Sequence, residues 1–155
     1  MSRVPPVAAA VAVAVLLASG QLNAMGSSDP SPEDQIKAAV SSIEKKDYNA
    51  AIEALDKALD ADSRNADALN YMGYSYRKLG QHAKAVDYYL KALAIDPKHK
   101  GALEYLGEAY LEMGQPAKAE ANLKTLGELC NSDCEEYRDL TKAVDAYTAR
   151  AGAKS

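Results

Sequence analysis

The sequence of 155 residues contains no tryptophan and no phenylalanine, so ten tyrosines supply its large aromatic side chains. It also has no basic excess, because 22 aspartates and glutamates outnumber 18 lysines and arginines and give a net charge of −4. A mildly acidic chain without a basic cluster is a poor candidate for binding nucleic acid or an anionic membrane surface. We therefore expect neither of these partners.

The sequence also lacks the short motifs that carry chemistry. It has no glycine-rich phosphate loop and no serine-nucleophile motif, and neither His82 nor His99 lies in a recognisable acid–base setting. The two histidines lie far from the two cysteines along the chain, which makes a metal site improbable. We expect His82 to pack at the edge of the core and His99 to be solvated. The prediction is a protein that is not an enzyme, with no catalytic residue, metal or cofactor.

Long apolar runs are scarce too, and the one present, Val7–Ala18, is too short for an ordinary membrane span. Arg3 is the only charged residue before it, and a short polar stretch follows, which is the layout of a secretory signal peptide. We predict that residues 1–24 are removed by cleavage after Ala24; cleavage after Gly20 and an uncleaved anchor are the alternatives. The mature protein is then expected to be periplasmic or secreted and not inserted in a membrane.

What the chain does contain is a repeat of 34 residues. Residues 66–99 are followed directly by residues 100–133, and ten of their first twenty positions are identical. In each unit a glycine–glutamine pair separates two segments whose apolar residues recur at three- and four-residue spacing, which indicates two helices joined by a turn. A fixed period of this length predicts a stacked array of helical hairpins. We expect Gly73 and Gly107 to be the points where the first helix of each unit touches the second.

The positions that recur resemble the tetratricopeptide repeat family. The second unit has the residue types of that family at Leu69, Met72, Gly73, Tyr76, Ala85, Tyr89, Ala92 and Pro97. The third unit matches in its first half, and residues 32–65 match in their second helix, as expected for terminal repeats. The resemblance implies an all-α solenoid of three helix–turn–helix repeats, 32–65, 66–99 and 100–133, followed by a capping helix.

The flanks of the array fit this organisation. Residues 25–31 form a linker, and its last residue, Ser31, is a helix cap followed by proline in the first turn. Asp133 is expected to cap a final helix over residues 134–149, which covers the third repeat. Residues 150–155 are expected to be a frayed tail.

The chain has two cysteines, Cys130 and Cys134, which flank the turn before the final helix. In an exported protein, two cysteines so placed predict a disulfide. The alternative is a redox-active pair. Two features oppose it: the cysteines are separated by three residues rather than two, and acidic residues beside them raise thiol pKa values.

The resemblance also implies a ligand site, because the family lines its concave groove with the first helix of each repeat. The groove positions in this sequence are Asn70, Tyr71, Tyr74, Arg77, Lys78, Glu104, Tyr105, Glu108 and Glu112. The alternatives are that the tyrosines pack between repeats and that the glutamates are solvated or paired with Arg77 and Lys78. The lysine–asparagine clamp with which one subfamily binds carboxylates is replaced here by Ile36, Val40, Tyr71, Gly101 and Tyr105.

We therefore predict a non-catalytic scaffold or adaptor that binds a protein or peptide in its groove, with the identity of the partner left open. A thiol–disulfide redox partner acting through Cys130 and Cys134 is one alternative. A structural repeat protein that assembles into a homo-oligomer is the other.

Overall fold

The computed structural model describes residues 30–153, so the predicted signal peptide, most of the linker and the last two residues lie outside the described part. This part of the chain contains seven α-helices and no strand, which confirms the all-α prediction. The helices are α1 (Pro32–Glu44), α2 (Tyr48–Ala61), α3 (Ala66–Lys78), α4 (His82–Ile95), α5 (Lys100–Glu112), α6 (Pro116–Cys130) and α7 (Glu135–Gly152). None of these seven helices is long and apolar enough to cross a membrane.

The helices form two layers. Helices α1, α3 and α5 each pair with the helix that follows. In addition, α1 contacts α3, α3 contacts α5, and α5 contacts α7. Within residues 30–153, α2, α4 and α6 do not contact one another. Because the odd-numbered helices lie closer together, the array curves toward them. They form the inner layer, and we call its exposed side the concave face.

Local sequence explains where the helices begin. Side chains of Ser31, Asp47 and Asn65 accept hydrogen bonds from backbone N–H groups in the first turns of α1, α2 and α3, at distances of 3.2, 3.1 and 2.9 Å. Such caps satisfy donors that have no partner inside the helix. The prediction of a cap at Ser31 is confirmed.

His99 corrects the expectation of a solvated histidine. Its ring Nδ1 accepts a 3.1 Å hydrogen bond from the backbone N–H of Ala102, so it caps α5. Its Nε2 lies 3.0 Å from Asp67 Oδ1 of the preceding repeat, and only 13% of its side chain is exposed. His99 therefore ties α5 to α3 at the edge of the concave face.

The turns inside the three repeats share one left-handed residue. Gly80 and Gly114 have φ angles of 76° and 70°, and the equivalent position of the first repeat holds Lys46 with φ 62°. Glycine adopts this conformation without steric cost, whereas a side chain does so at a penalty. The first repeat thus keeps the geometry of the turn without the residue that suits it.

Small residues let the helices approach closely. A Cβ atom at Gly73 would lie 2.7 Å from the ring of the fully buried Tyr89 on α4, as predicted for a contact between the two helices of a repeat. Gly107 differs from the prediction, because a Cβ atom there would lie 2.6 Å from a methyl group of Leu140 on α7. The third repeat has Leu123 where the second has Tyr89, so α7 reaches the glycine instead.

The last helix packs on both α5 and α6. Leu140, fully buried, forms a cluster with Leu103, Leu111 and Leu126. The cap differs from expectation: Cys134 occupies that position without a capping side-chain hydrogen bond, and Asp133 instead accepts one of 3.2 Å from Arg138. The helix also continues to Gly152, past the predicted end at residue 149.

Candidate functional site

The predicted groove residues all lie on α3 and α5, in the inner layer. Their exposure differs widely: Asn70, Arg77 and Glu104 are buried, with 5%, 6% and 9% of their surface exposed. The half-buried members are Tyr71, Tyr74, Tyr105 and Glu108, and the exposed ones are Lys78 and Glu112. No observation here tests which of them contact a partner, so the assignment stays a prediction, but the buried ones also have structural roles.

Arg77 is the centre of one cluster on this face. Its guanidinium lies 2.6 Å from Glu108 Oε2 and 2.8 Å from Glu112 Oε1, so one arginine of the second repeat holds two carboxylates of the third. The same guanidinium lies over the rings of Tyr74 and Tyr105, at 5.6 and 5.7 Å from their centroids. Arg77 is therefore a bridge between repeats, in line with the alternative in which these glutamates are paired.

The charge of Arg77 is balanced locally. Burial works against the charged form, but Glu108 and, to a lesser degree, Glu112 outweigh burial and raise the pKa of the guanidinium. His82 also lies beside this cluster, with its Nδ1 3.0 Å from Glu112 Oε2. A ligand at this point meets an arginine whose two terminal nitrogens are already paired with carboxylates, while its buried Nε has no partner among the described residues.

Among the tyrosines of the groove, Tyr74 and Tyr105 are in ring contact and Tyr71 and Tyr105 line one pocket, and we call these three residues the tyrosine row. The rings of Tyr74 and Tyr105 are 5.1 Å apart, and Tyr105 in turn lies 6.3 Å from the buried ring of Tyr89. Burial raises the pKa of Tyr105 to about 12. Tyr105 thus belongs partly to the contact between repeats, whereas Tyr74 has Lys78 over its other side, at 5.1 Å. The alternative in which the groove tyrosines pack between repeats therefore applies to Tyr105 more than to Tyr74.

A second cluster forms a pocket of about 350 Å³ at the end of the concave face where α3, α5 and α7 begin. We call it the acidic pocket, because its lining includes the carboxylates of Asp67, Glu104, Glu135, Glu136 and Asp139. The rings of Tyr71 and Tyr105 line it as well, together with Asn70, His99 and Gly101. Carboxylates and aromatic faces together form an environment that favours an organic cation.

Three of these carboxylates have a histidine or lysine neighbour at the rim of the pocket. Asp67 pairs with His99 at 3.0 Å, Glu136 lies 3.7 Å from Lys100, and Asp139 lies 2.7 Å from Lys142. The lysines are themselves substantially exposed, so these contacts are largely screened by water.

Glu104 is different, because it has neither a hydrogen bond nor an ion pair with any residue in the range 30–153. It is 9% exposed, and burial raises the pKa of its carboxyl to about 8, with Glu108, Asp139 and Glu136 adding to the shift. Beside it, Asn70 is 5% exposed and its amide Oδ1 has no hydrogen-bond partner among the described residues. A carboxyl without an ion-pair partner and a buried amide oxygen without a donor thus line one pocket.

Sequence reasoning did not find the part of this pocket that α7 supplies. Glu135 and Glu136 lie in the first turn of α7, where acids are common, and Asp139 follows one turn later. The signal was present, since residues three and four apart share a helix face. What the sequence could not reveal is that α7 packs against α5. This packing brings the acidic residues at the start of α7 into the same pocket as Glu104.

Two larger open pockets lie elsewhere on the concave face. One, of about 620 Å³, lies between Arg77, Lys78, Glu112 and the second half of α7, including Tyr147. The other, of about 580 Å³, lies between α1 and α3 and is lined in part by Tyr71. Ile36 and Val40, which stand where the carboxylate-binding subfamily has polar residues, line this second pocket. Open pockets therefore lie on both sides of the tyrosine row on the concave face.

The two cysteines lie next to each other at the turn before α7. Their Cα atoms are 5.8 Å apart and their sulfur atoms are in bonding contact. This separation is typical of a disulfide. Cys134 is 8% exposed, and Cys130 is half-buried. A bond here joins the end of α6 to the start of α7, while its presence in the mature protein remains a prediction.

No group of three or more histidine, cysteine or acidic side chains within residues 30–153 has the arrangement of a metal site. The carboxylates of the acidic pocket are thus not arranged to hold an ion by themselves. The site is suited to binding polar and charged groups of a partner through pockets, rings and carboxylates.

Comparison with known protein families bears on residues 36–121. Three family models described as tetratricopeptide repeat match residues 36–65, 66–99 and 88–121. The chain belongs to the tetratricopeptide repeat family. The model for 66–99 has the boundaries of the second repeat, whereas the one for 88–121 straddles the second and third. Proteins of this family are in general protein-interaction domains without catalysis, and the repeats here supply such a protein-binding scaffold.

Solved structures show the same fold. The Sgt2 tetratricopeptide domain from Aspergillus fumigatus matches with a TM-score of 0.70 and 22% identity, over 80% of this chain and 81% of that one. The first such domain of Spaghetti (RPAP3), bound to the HSP90 peptide SRMEEVD, matches with a TM-score of 0.67 and 20% identity, over 76% and 93%. The translocator chaperone SycD of Yersinia enterocolitica matches with a TM-score of 0.67 and 20% identity, over 79% and 92%. No curated protein sequence is significantly similar to this chain.

Proposed function

We propose that this protein is a non-catalytic scaffold or adaptor that binds a segment of a partner protein along its concave face. The observation that carries the proposal is the row of half-buried tyrosines Tyr71, Tyr74 and Tyr105, with open pockets on both sides of it. Tyrosine gives a large, rigid contact area at a small loss of conformational entropy, and it is enriched where binding energy concentrates.

The partner we propose differs in chemistry from the peptide named in one structural relative. That relative binds SRMEEVD, a peptide that ends in acidic residues and a carboxylate. In this chain Ile36, Val40, Gly101 and Tyr105 stand at positions of the carboxylate clamp, and the lining of the acidic pocket includes Glu104 and four further carboxylates. Like charges across an interface disfavour binding, so an acidic tail is a poor ligand here.

We also propose that the scaffold acts in the periplasm or another oxidising space. The layout of residues 1–24 supports export, and the contact between Cys130 and Cys134 suits a protein in which disulfides persist. Intact mass of the protein isolated from its host tests both points. We expect a chain that begins at Met25 and takes up alkylating reagent at the cysteines only after reduction. A chain with residues 1–24 retained, or two thiols alkylated without reductant, contradicts the proposal.

Affinity purification from envelope extract tests the binding role. We expect proteins to be retained by the unaltered protein and by a Leu90→Ser control, in which an exposed side chain of the outer helix α4 is changed. The same proteins are expected to be lost with Tyr74→Ser, because the tyrosine row is interrupted. Equal retention by all three forms contradicts binding on the concave face.

A further inference from the structure

Glu104 and Asn70 together indicate what the acidic pocket lacks. Both residues are about nine-tenths buried or more, and the Oδ1 atom of Asn70 is a buried acceptor without a donor among the described residues, while the carboxyl of Glu104 has no hydrogen bond or ion pair within residues 30–153 and lies at the pocket. An unpaired buried acceptor is costly, and a buried carboxylate more so, unless a donor reaches it. Glu104 sits on α5 and Asn70 on α3, and both line the same opening to solvent. A donor from outside the chain can therefore reach the two of them.

The charge in this pocket defines that donor. The side chains of His99, Lys100 and Lys142 are each engaged with a rim carboxylate and not with Glu104. Glu135 adds a further carboxylate at the entrance. The missing group is therefore a hydrogen-bond donor with positive charge, and the absence of metal-like geometry within residues 30–153 favours an organic cation over an ion.

The protein itself shows which cation suits such a setting. At the other end of α3 and α5, the guanidinium of Arg77 lies against the rings of Tyr74 and Tyr105 and holds two glutamates. The acidic pocket has a similar combination in Tyr71, Tyr105 and Glu104. A planar guanidinium can donate to a carboxylate and to an amide oxygen while it stacks on an aromatic ring, which an ammonium does less well.

We propose that the acidic pocket receives the arginine side chain of a partner protein, with Glu104 as its carboxylate acceptor and Asn70 Oδ1 as a second acceptor. The pocket volume of about 350 Å³ suits one side chain rather than a folded surface. The rest of the partner segment then lies along the tyrosine row. The proposal rests on the proposed function, since it names the residue with which the partner is anchored.

Binding of the cation has a consequence for pH. The carboxyl of Glu104 has a pKa of about 8 in the empty pocket, so it is largely protonated at neutral pH. Arginine binds the ionised form, so affinity is expected to rise as pH increases from 6 to 9. Asp67, Glu135, Glu136, Asp139 and His99 also face the pocket. Glu108 and Arg77 also act on the carboxyl of Glu104. A His99→Asn variant, which keeps a capping side chain, removes the imidazole from the lining and is the control for the pH dependence.

The test is an NMR titration of the ¹⁵N-labelled protein with acetyl-Gly-Arg-Gly-amide and with the same peptide containing citrulline. Citrulline keeps the shape of arginine and removes its charge. We expect saturable shifts at the backbone amides of Asn70, Glu104 and Asp139, and weakening by about tenfold or more with citrulline or in the Glu104→Gln variant. The Glu53→Gln control changes an exposed glutamate on the outer helix α2 and is expected to bind as the unaltered protein does.

Equal affinity for arginine and citrulline, unchanged affinity in Glu104→Gln, or an absence of saturable shifts overturns the proposal. A thermal melt of each variant establishes that it is folded, and Asp139→Asn serves as a second pocket variant, expected to weaken arginine binding less than Glu104→Gln. The proposal is supported if the affinity for the arginine peptide no longer depends on pH in Glu104→Gln but still does in His99→Asn. If the peptide fails to bind while partner proteins are still retained through Tyr74, the arginine site is wrong and the scaffold role stands.

Discussion

Arg77 of the second repeat and Glu108 of the third are joined by a 2.6 Å ion pair, with the arginine almost fully buried against two tyrosine rings. Both residues occupy positions from which the family contacts its ligands. The charge of Arg77 therefore holds two repeats together. The carboxylates of the acidic pocket lie at the other end of α3 and α5.

Replacing Arg77 tests this structural role. Arg77→Met removes the donor shared by Glu108 and Glu112, and we expect the free energy of unfolding to fall by about 1–3 kcal/mol, a figure reduced because both glutamates are partly exposed. Urea denaturation measures it. Lys78→Met, a neighbouring exposed position, is the control and is expected to change stability by less than about 0.5 kcal/mol. Equal effects of the two substitutions contradict the bridge.

Glu104 is expected to make stability depend on pH. Its folded pKa of about 8 lies above the ordinary value of 4.5, so the folded state binds the proton more tightly. The contribution of this carboxyl is fully present below pH 4.5 and is lost as the pH rises through 8. Glu104→Gln removes the penalty and is expected to stabilise the protein by about 1–3 kcal/mol at pH 9, with little difference at pH 4. Thermal melts measure this from pH 4 to pH 9. A stability difference between the unaltered protein and Glu104→Gln that does not change with pH contradicts the assignment.

The contact between Gly107 and Leu140 is open to a double-mutant cycle. Gly107→Ala places a methyl group against Leu140 and is expected to cost about 1–2 kcal/mol. In a Leu140→Ala background the space is free, so the same substitution is expected to cost less, and the two changes are not additive. Gly73→Ala, which faces Tyr89 instead, is the control and keeps its full cost in that background. Additive costs for Gly107 and Leu140 mean that α7 does not pack there.

We expect replacement of Lys46 by glycine to stabilise the folded protein. Lys46→Gly relieves the left-handed conformation that glycine adopts at the equivalent positions, and the gain, after the entropy cost of glycine, is about 0.5–1 kcal/mol. Gly80→Ala is the matched control and is expected to destabilise the second repeat for the same reason. Thermal or urea denaturation measures both. A loss of stability in Lys46→Gly contradicts the argument.

Repeat period and helix signals predicted much of this fold. The repeated glycine–glutamine turns and the apolar spacing located α3, α4, α5 and α6, and Ser31 marked the start of α1. The start of α7 was harder to explain, because Cys134 caps it without a side-chain hydrogen bond. Its packing was harder still, since the sequence does not show that Leu140 replaces an aromatic partner of Gly107.

The candidate site could be predicted only in outline. The family pattern identified the inner face and its tyrosines, but it could not distinguish Arg77, which is buried in a network, from Lys78, which is exposed. Nor could it reveal that Glu104 is buried without a partner, because this depends on Asp67, His99 and α7 meeting around it. Such properties arise from packing between repeats, which a pattern within one repeat does not contain.

Site-specific photo-crosslinking in the native host tests the central claim, binding on the concave face, most directly. A photoreactive phenylalanine derivative replaces Tyr74 in one protein and Leu90, on the exposed side of α4, in another. We predict discrete crosslinked species containing another protein from position 74 and none of these species from position 90. Crosslinks from position 90 alone, or the same species from both positions, contradict a partner bound along the tyrosine row.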